Sequence, residues 1–143
     1  MSAITATRYH DFSCGHRVVG HEGKCALLHG HNYRVHFECS AKELDSVGRV
    51  LDFSAIKGAL CLWIEENWDH KFLAWNQDED LRLLAEQLSL AKASIVWVPF
   101  NPTAENIAEH LLQVVGPCEL PRNILLRKVI VEETRKCLAT AEV

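Results

Sequence analysis

The sequence predicts an α+β fold, one antiparallel β-sheet with two main helices packed on a single face. Two observations carry that expectation. Runs near both ends of the chain alternate apolar and polar residues with the period of a half-buried strand, whereas residues 54–67 and 103–115 repeat apolar residues at helical spacing. No repeat, low-complexity tract or Gly-, Ser- or Pro-rich linker interrupts the 143 residues, a length that can bury a core without staples, so 1–143 reads as one domain.

The first strand is expected from Ile4 to His16, with Phe12, Cys14 and His16 on one face. A turn-rich segment, Gly20-His21-Glu22-Gly23, separates it from a second strand over His31–Cys39. There His31, Tyr33, Val35, Phe37 and Cys39 point one way, and Asn32, Arg34, His36 and Glu38 the other. A hairpin carrying a functional loop fits this pattern. Ile56, Leu60, Trp63 and Ile64 then share a helix face whose first turn Asp52 or Ser54 can cap. Leu81, Leu84, Ala85 and Leu88 suggest a weaker helix, and Ile95–Val98 a short strand. Thr103 is an N-cap candidate with Glu105 in the first turn, where the helix dipole favours an anion. That helix would bury Ile107, Ala108, Leu111, Leu112 and Val115 and stop at Gly116-Pro117. Leu125–Thr134 is a longer strand, and the last residues are candidates for an edge strand.

Composition narrows the function classes. With 48% hydrophobic and 24% charged residues the chain reads as globular rather than disordered, and a net charge of −4 argues against nucleic acid or anionic membranes as partners. Nothing approaches the roughly 20 apolar residues of a membrane span, and the first eight residues lack the apolar core of a signal peptide, so a cytoplasmic location is expected. The cysteines at 14, 25, 39, 61, 118 and 137 form no Cys-x-x-Cys pair, which disfavours a tetrathiolate metal site. They read as reduced thiols, mostly small core residues.

The histidines carry the chemistry. In an extended chain His29 and His31 point to the same side, roughly 6.5–7 Å apart, near enough for two imidazoles to share one metal at ~2.0–2.1 Å each. Gly30 between them permits close approach of a backbone or substrate. His16, at the end of the preceding strand, is the natural third donor, because antiparallel pairing brings that end beside the start of the next strand. Three neutral nitrogens leave a tetrahedral ion one open position, the catalytic pattern. His36 reads as solvated, His21 as a loop residue, and His10 and His110 have no evident partner.

Cys25 lies four residues before His29, beside Lys24, and a cation and a metal near a thiol favour its thiolate. It could act as a base or as a fourth metal ligand, and spacing does not choose. In Asp69-His70-Lys71 an aspartate adjoins an imidazole whose tautomer it could fix. Glu133 continues the apolar face of Val129 and Val131, so it either ends the strand in solvent or anchors a ligand. Glu132 on the opposite face reads as solvated.

Several segments together resemble the 6-pyruvoyl-tetrahydropterin synthase and 6-carboxytetrahydropterin synthase family. They are Phe12-Ser13-Cys14-Gly15-His16-Arg17, Cys25-Ala26-Leu27-Leu28-His29-Gly30-His31-Asn32-Tyr33, Leu51-Asp52-Phe53, Asp69-His70-Lys71-Phe72-Leu73, Pro102-Thr103-Ala104-Glu105-Asn106 and Glu133-Thr134. They occur in the family's order and span nearly the whole chain. The resemblance implies a tunnelling fold assembled as a homohexamer of two stacked trimers with active sites between subunits. It implies Zn2+ held by His16, His29 and His31, Cys25 as the catalytic thiol and Asp69 with His70 as acid/base pair. Glu133 would hold the pterin's amino-pyrimidinone edge, with Thr103 and Glu105 among the substrate-binding residues. The implied substrate is 7,8-dihydroneopterin triphosphate, and Lys24, Arg17 and Lys71 are cations available to its triphosphate. The short stretch from His16 to Cys25 resembles the bacterial carboxy enzymes, which release acetaldehyde and triphosphate and feed 7-deazaguanine (queuosine) synthesis. The alternatives are the pyruvoyl reaction on the same scaffold, or a non-catalytic zinc- or pterin-binding relative. Arg135 to Val143 departs from the family's usual aromatic-glycine ending.

Overall fold

The computed structural model describes residues 2–89 and 91–143. Six strands form one sheet: β1 (Ala6–His16), β2 (His29–Ala41), β3 (Phe72–Trp75), β4 (Ile95–Val98), β5 (Ile124–Glu132) and β6 (Leu138–Glu142), in the order β4-β3-β1-β2-β5-β6. The four long strands pair antiparallel, as expected. Beside them β3 joins β1, and β4 joins β3, in parallel, so the sheet is mixed. The β3 strand had no sequence signal of its own, since the run Phe72-Leu73-Ala74-Trp75 is too short and too uniformly apolar to show a period of two.

Alternation along β1 and β2 separates two faces. Phe12, Cys14, Tyr33, Val35, Phe37 and Cys39 are buried on one, where Val129 and Val131 of β5 join them. Two helical segments cover that face. The first, α1, runs over 53–67, opening at Phe53–Ile56, widening to a π-helical stretch at Lys57–Cys61 and closing at Leu62–Asn67. Asp52 caps it by accepting the Ser54 N–H at 2.8 Å. The second main helix comes after α2 (Glu79–Gln87) and the single turn α3 (Ala91–Ser94), and is labelled α4. It starts at Ala104, passes through a π-helical stretch at Leu111–Val115 and continues through Gly116–Glu119. Thr103 caps it through the Asn106 N–H at 3.1 Å, as the sequence suggested.

Gly116-Pro117 therefore does not end this helix. Proline lacks an N–H and is tolerated where a first helical turn would leave that group unpaired, and the preceding π-helical stretch creates such a place. Ile64, Leu60, Ile107 and Leu111 are fully buried against the sheet, and burying each such side chain favours folding by about 1.5–3 kcal/mol. The final edge strand is present. It pairs with β5 from Glu132↔Leu138 to Lys128↔Glu142, while Glu133 and Thr134 sit in the connecting loop rather than in a strand. Among the described residues no helix is long and apolar enough to cross a membrane.

Candidate metal centre and its surroundings

The β1–β2 register sets His16 directly opposite His29, Gly15 opposite Gly30 and Cys14 opposite His31. Residues facing one another across antiparallel strands share a face, so all three imidazoles emerge on the helix-covered side. Their ring centroids lie 4.6, 5.2 and 4.8 Å apart. Both glycines keep the hairpin close here. A Cβ on Gly15 would stand 2.6 Å from Phe72 Cδ2, and one on Gly30 would stand 3.3 Å from the Cys14 carbonyl oxygen. The close approach expected at Gly30 is thus made by the neighbouring strand.

Two backbone oxygens fix the ring orientations. His16, fully buried, donates from Nδ1 to the Pro102 carbonyl at 2.6 Å, and His29 donates from Nδ1 to the Leu27 carbonyl at 2.6 Å. A carbonyl only accepts, so each Nδ1 carries the proton and each Nε2 presents a lone pair. Those two Nε2 atoms face each other at 3.0 Å. Between neutral rings, lone pairs so placed repel unless a cation, a proton or a metal ion, lies between them. Two nitrogens at ~2.05 Å from a tetrahedral zinc would be about 3.3 Å apart, close to what is seen. The third nitrogen, Nε2 of His31, is buried without a hydrogen-bond partner among the described residues. A three-imidazole metal site fits this donor set.

Glu133 completes the group. Its Oε1 is 2.8 Å from His31 Nε2, outside hydrogen-bond geometry, and 3.4 Å from His16 Nε2. One ligand atom from each of His16, His29, His31 and Glu133 lies within 4.8 Å of all the others, and Cys25 is not in the set. The nearness of His16 first, and the positive charge that His31, His16 and His29 bring when protonated, hold the Glu133 carboxyl below its ordinary range, against burial. Tyr33 floors the site, buried and stacked on Phe12 at 5.3 Å with its hydroxyl 3.3 Å from both ring nitrogens of His16. Sequence reasoning gave Tyr33 no role at the site, and it gave none to the Pro102 and Leu27 carbonyls. Tyr33 could have been found from its place two residues after His31 on the same face.

Burial lowers the affinity of His31 for protons, and its imidazole neighbours add to this, while Glu133 opposes it. A depressed histidine stays neutral at pH 7 and gains its proton only below the ordinary value of about 6.5. Stabilisation by a bound metal should therefore be flat above neutrality. It should fall as pH drops below ~6.5, because protons then compete for the nitrogens. Metal content against pH, measured after dialysis, checks this. Release beginning above pH 7 would contradict it.

Cys25 sits half-buried in a single 3-10 turn, Lys24–Ala26, which enters β2. Cys14, on β1 opposite His31, is sequestered, its thiol pushed up to about 12 by burial and by the charges of Asp69 and Glu133. Cys39 and Cys61 are also buried, whereas Cys118 and Cys137 are exposed, so only part of the set is core.

Asp69 and His70 lie between α1 and β3. One Asp69 oxygen accepts the Ser13 N–H at 3.0 Å and the other meets His70 Nδ1 at 2.8 Å. Burial raises the proton affinity of Asp69, but those two bonds outweigh it and keep the carboxyl ionised below its ordinary range. His70 has φ 61°, a left-handed conformation uncommon for a side-chain-bearing residue, and its N–H donates to the Ser13 carbonyl at 2.7 Å. Its ring is 81% exposed. It borders a cleft of about 590 Å³ with Ser13, Asn32, Glu132, Thr134 and Arg135, and a second hollow with Gly30 and His31. Cys25 lines neither. One chain thus gathers the histidines and Glu133, with His70 at the rim of the hollow beside His31.

The remaining candidates separate clearly. The Thr103 hydroxyl is used in the helix cap, and Glu105 is exposed on the first turn. Arg17 is engaged by Asp78, and Lys71 donates to the Ala93 carbonyl at 2.9 Å. His10 pairs with Glu65, His36 with Glu132, and His21 accepts the Gly23 N–H within its own loop.

A family model described as 6-pyruvoyl tetrahydropterin synthase matches residues 5–143. A Rickettsia felis protein named 6-carboxy-5,6,7,8-tetrahydropterin synthase is 36% identical over 135 residues, covering 94% of this chain and 96% of its own. A Haemophilus influenzae protein of the same name is 34% identical over 103 residues, 70% of this chain and 73% of its own. Among solved structures, an uncharacterized protein of Wolinella succinogenes aligns with TM-score 0.84 at 24% identity over 99% of both chains. The 6-pyruvoyl tetrahydropterin synthase of Caenorhabditis elegans aligns at 0.70 and 23% identity, over 100% of this chain and 97% of its own. At these identities the structural likeness shows the fold alone, and it agrees with the T-fold expected from the sequence.

Proposed function

Because this chain belongs to the 6-pyruvoyl tetrahydropterin synthase family, we propose that it is a zinc-dependent 6-carboxy-5,6,7,8-tetrahydropterin synthase. It would convert 7,8-dihydroneopterin triphosphate to 6-carboxytetrahydropterin with release of acetaldehyde and triphosphate, a step toward 7-deazaguanine (queuosine) synthesis. The observation that supports this most is the convergence of three imidazoles whose nitrogens could share one metal ion, in a chain 36% identical to a relative of that name. Zinc held by His16, His29 and His31 would supply a Lewis acid that polarises an oxygen of the substrate's side chain.

The chain's own groups do the rest. Cys25, as thiolate, would take a proton from a side-chain carbon. Asp69 receives the Nδ1–H of His70, which leaves the exposed Nε2 of that ring to carry protons to and from the substrate. Glu133 accepts from the amino-pyrimidinone edge, its 21% exposure leaving it room to turn from the imidazoles toward the ligand. Cys25 lines neither of the two clefts that His70 borders, so a substrate shared by the two groups suits a site completed by a second subunit. A homohexamer of stacked trimers with sites between subunits meets that need.

Incubating the zinc-loaded protein with 7,8-dihydroneopterin triphosphate and identifying the products tests the reading. Acetaldehyde with the 6-carboxy product supports it, and a 6-pyruvoyl product without acetaldehyde overturns it. Glu133→Gln is expected to raise KM by roughly 10–100-fold with metal retained, the scale of a lost hydrogen bond to a charged group. Loss of the metal from that variant would make Glu133 a ligand instead.

A further inference from the structure

We propose that Arg17 is a positioning residue for the Cys25 loop, anchored by Asp78. The inference rests on Cys25 being the catalytic thiol and adds what holds that thiol in place. Arg17 donates from Nε to Asp78 Oδ2 at 2.7 Å and from Nη2 to Asp78 Oδ1 at 3.0 Å, a paired fork contact. Its remaining arm, Nη1, donates to the carbonyl of Ala26 at 3.3 Å, the residue directly after Cys25. Asp78 is itself fixed. It is 3% exposed, accepts the Leu81 N–H at 3.2 Å as the cap of α2, and its own N–H reaches the Trp75 carbonyl at 2.9 Å.

Two further bonds close the loop around this clamp. Val18 N–H donates to the Cys25 carbonyl at 2.7 Å, and Val19 exchanges bonds of 3.0 and 2.9 Å with the side chain of Asn101. Arg17 follows the metal-site residue His16 in sequence, so one dipeptide would hold the ion with its first side chain and the thiol loop with its second. Lysine could not do this. A single ammonium on a flexible stem cannot meet both carboxylate oxygens and the carbonyl with a planar fork.

Asp78→Asn separates positioning from folding, since asparagine keeps a capping oxygen for α2 but loses the charge that Arg17 grips. Peptide-resolved alkylation by iodoacetamide, zinc content and steady-state kinetics are measured on the zinc-loaded protein. The expected result is a Cys25 alkylation rate at least about tenfold higher as the half-buried thiol is freed, with zinc retained. A loosened thiol also lowers kcat by roughly 10–100-fold at unchanged KM. Buried Cys39 and Cys61 should stay as slow as in the parent. An unchanged Cys25 rate overturns the proposal, and so does a rise shared by Cys39 and Cys61, which reports general unfolding. If Asp78→Asn does not fold, Arg17→Lys takes the same measurements with the same outcomes. Should the alkylation change appear while the parent protein leaves dihydroneopterin triphosphate unconverted, the clamp stands and the assigned reaction falls.

Discussion

His31→Ala is expected to strip the metal and abolish turnover. Substituting groups that merely orient a metal's ligands costs about 10–100-fold in affinity or activity, so removing a ligand itself should exceed that range. His31 contributes the one buried side-chain nitrogen with no hydrogen-bond partner among the described residues, and a metal shared with His16 and His29 would give that atom its partner. Metal analysis on the purified variant reads the result. His36→Ala is the matched control, five residues along the same strand on the opposite face, where the ring pairs with Glu132. It should keep the metal and shift stability by no more than about 1 kcal/mol. Full metal occupancy in His31→Ala would remove the three-nitrogen centre from consideration.

Cys25→Ala should retain the metal and lose about 10²-fold or more in turnover, the usual range for an acid/base group. The contrast lies in Cys14, whose thiol is pushed up to about 12 by burial and so stays protonated at neutral pH. A Cys14→Ala variant should keep its chemistry. Undiminished turnover in Cys25→Ala would remove the thiol from the chemistry, whereas a parent without turnover whose metal or pterin binding survives the substitution would be a non-catalytic binder on this fold. Loss of metal would instead identify the sulfur as a ligand, against the arrangement in which it stands outside the metal-binding group.

Much of the site was legible because strand periodicity is simple. Residues i and i+2 share a face, so His29 and His31 could be paired on sight, and the hairpin supplied His16 from the other strand. Periodicity left Glu133 open between solvent and a ligand, the resemblance gave it the pterin edge, and its place beside the imidazoles comes from the loop after β5 rather than from the strand face. What stayed hidden has physical causes. The oxygens orienting His16 and His29 belong to the backbone and leave no residue-type signature. The pairing of Arg17 with Asp78 spans 61 positions and looks, in sequence, like two ordinary surface charges. The β3 strand has four residues and takes its place from parallel neighbours rather than from its own pattern. A proline after a π-helical stretch reads locally as a terminator, although the wider turn makes room for it.

The contact between His16 and Pro102 has a genetic corollary. Its acceptor is a main-chain oxygen, which no codon change can delete, so missense variation reaches the proton position on that ring only indirectly. Insertions or deletions between β4 and α4 are another matter. They would slide a different carbonyl under the ring and retune it without altering a single ligand.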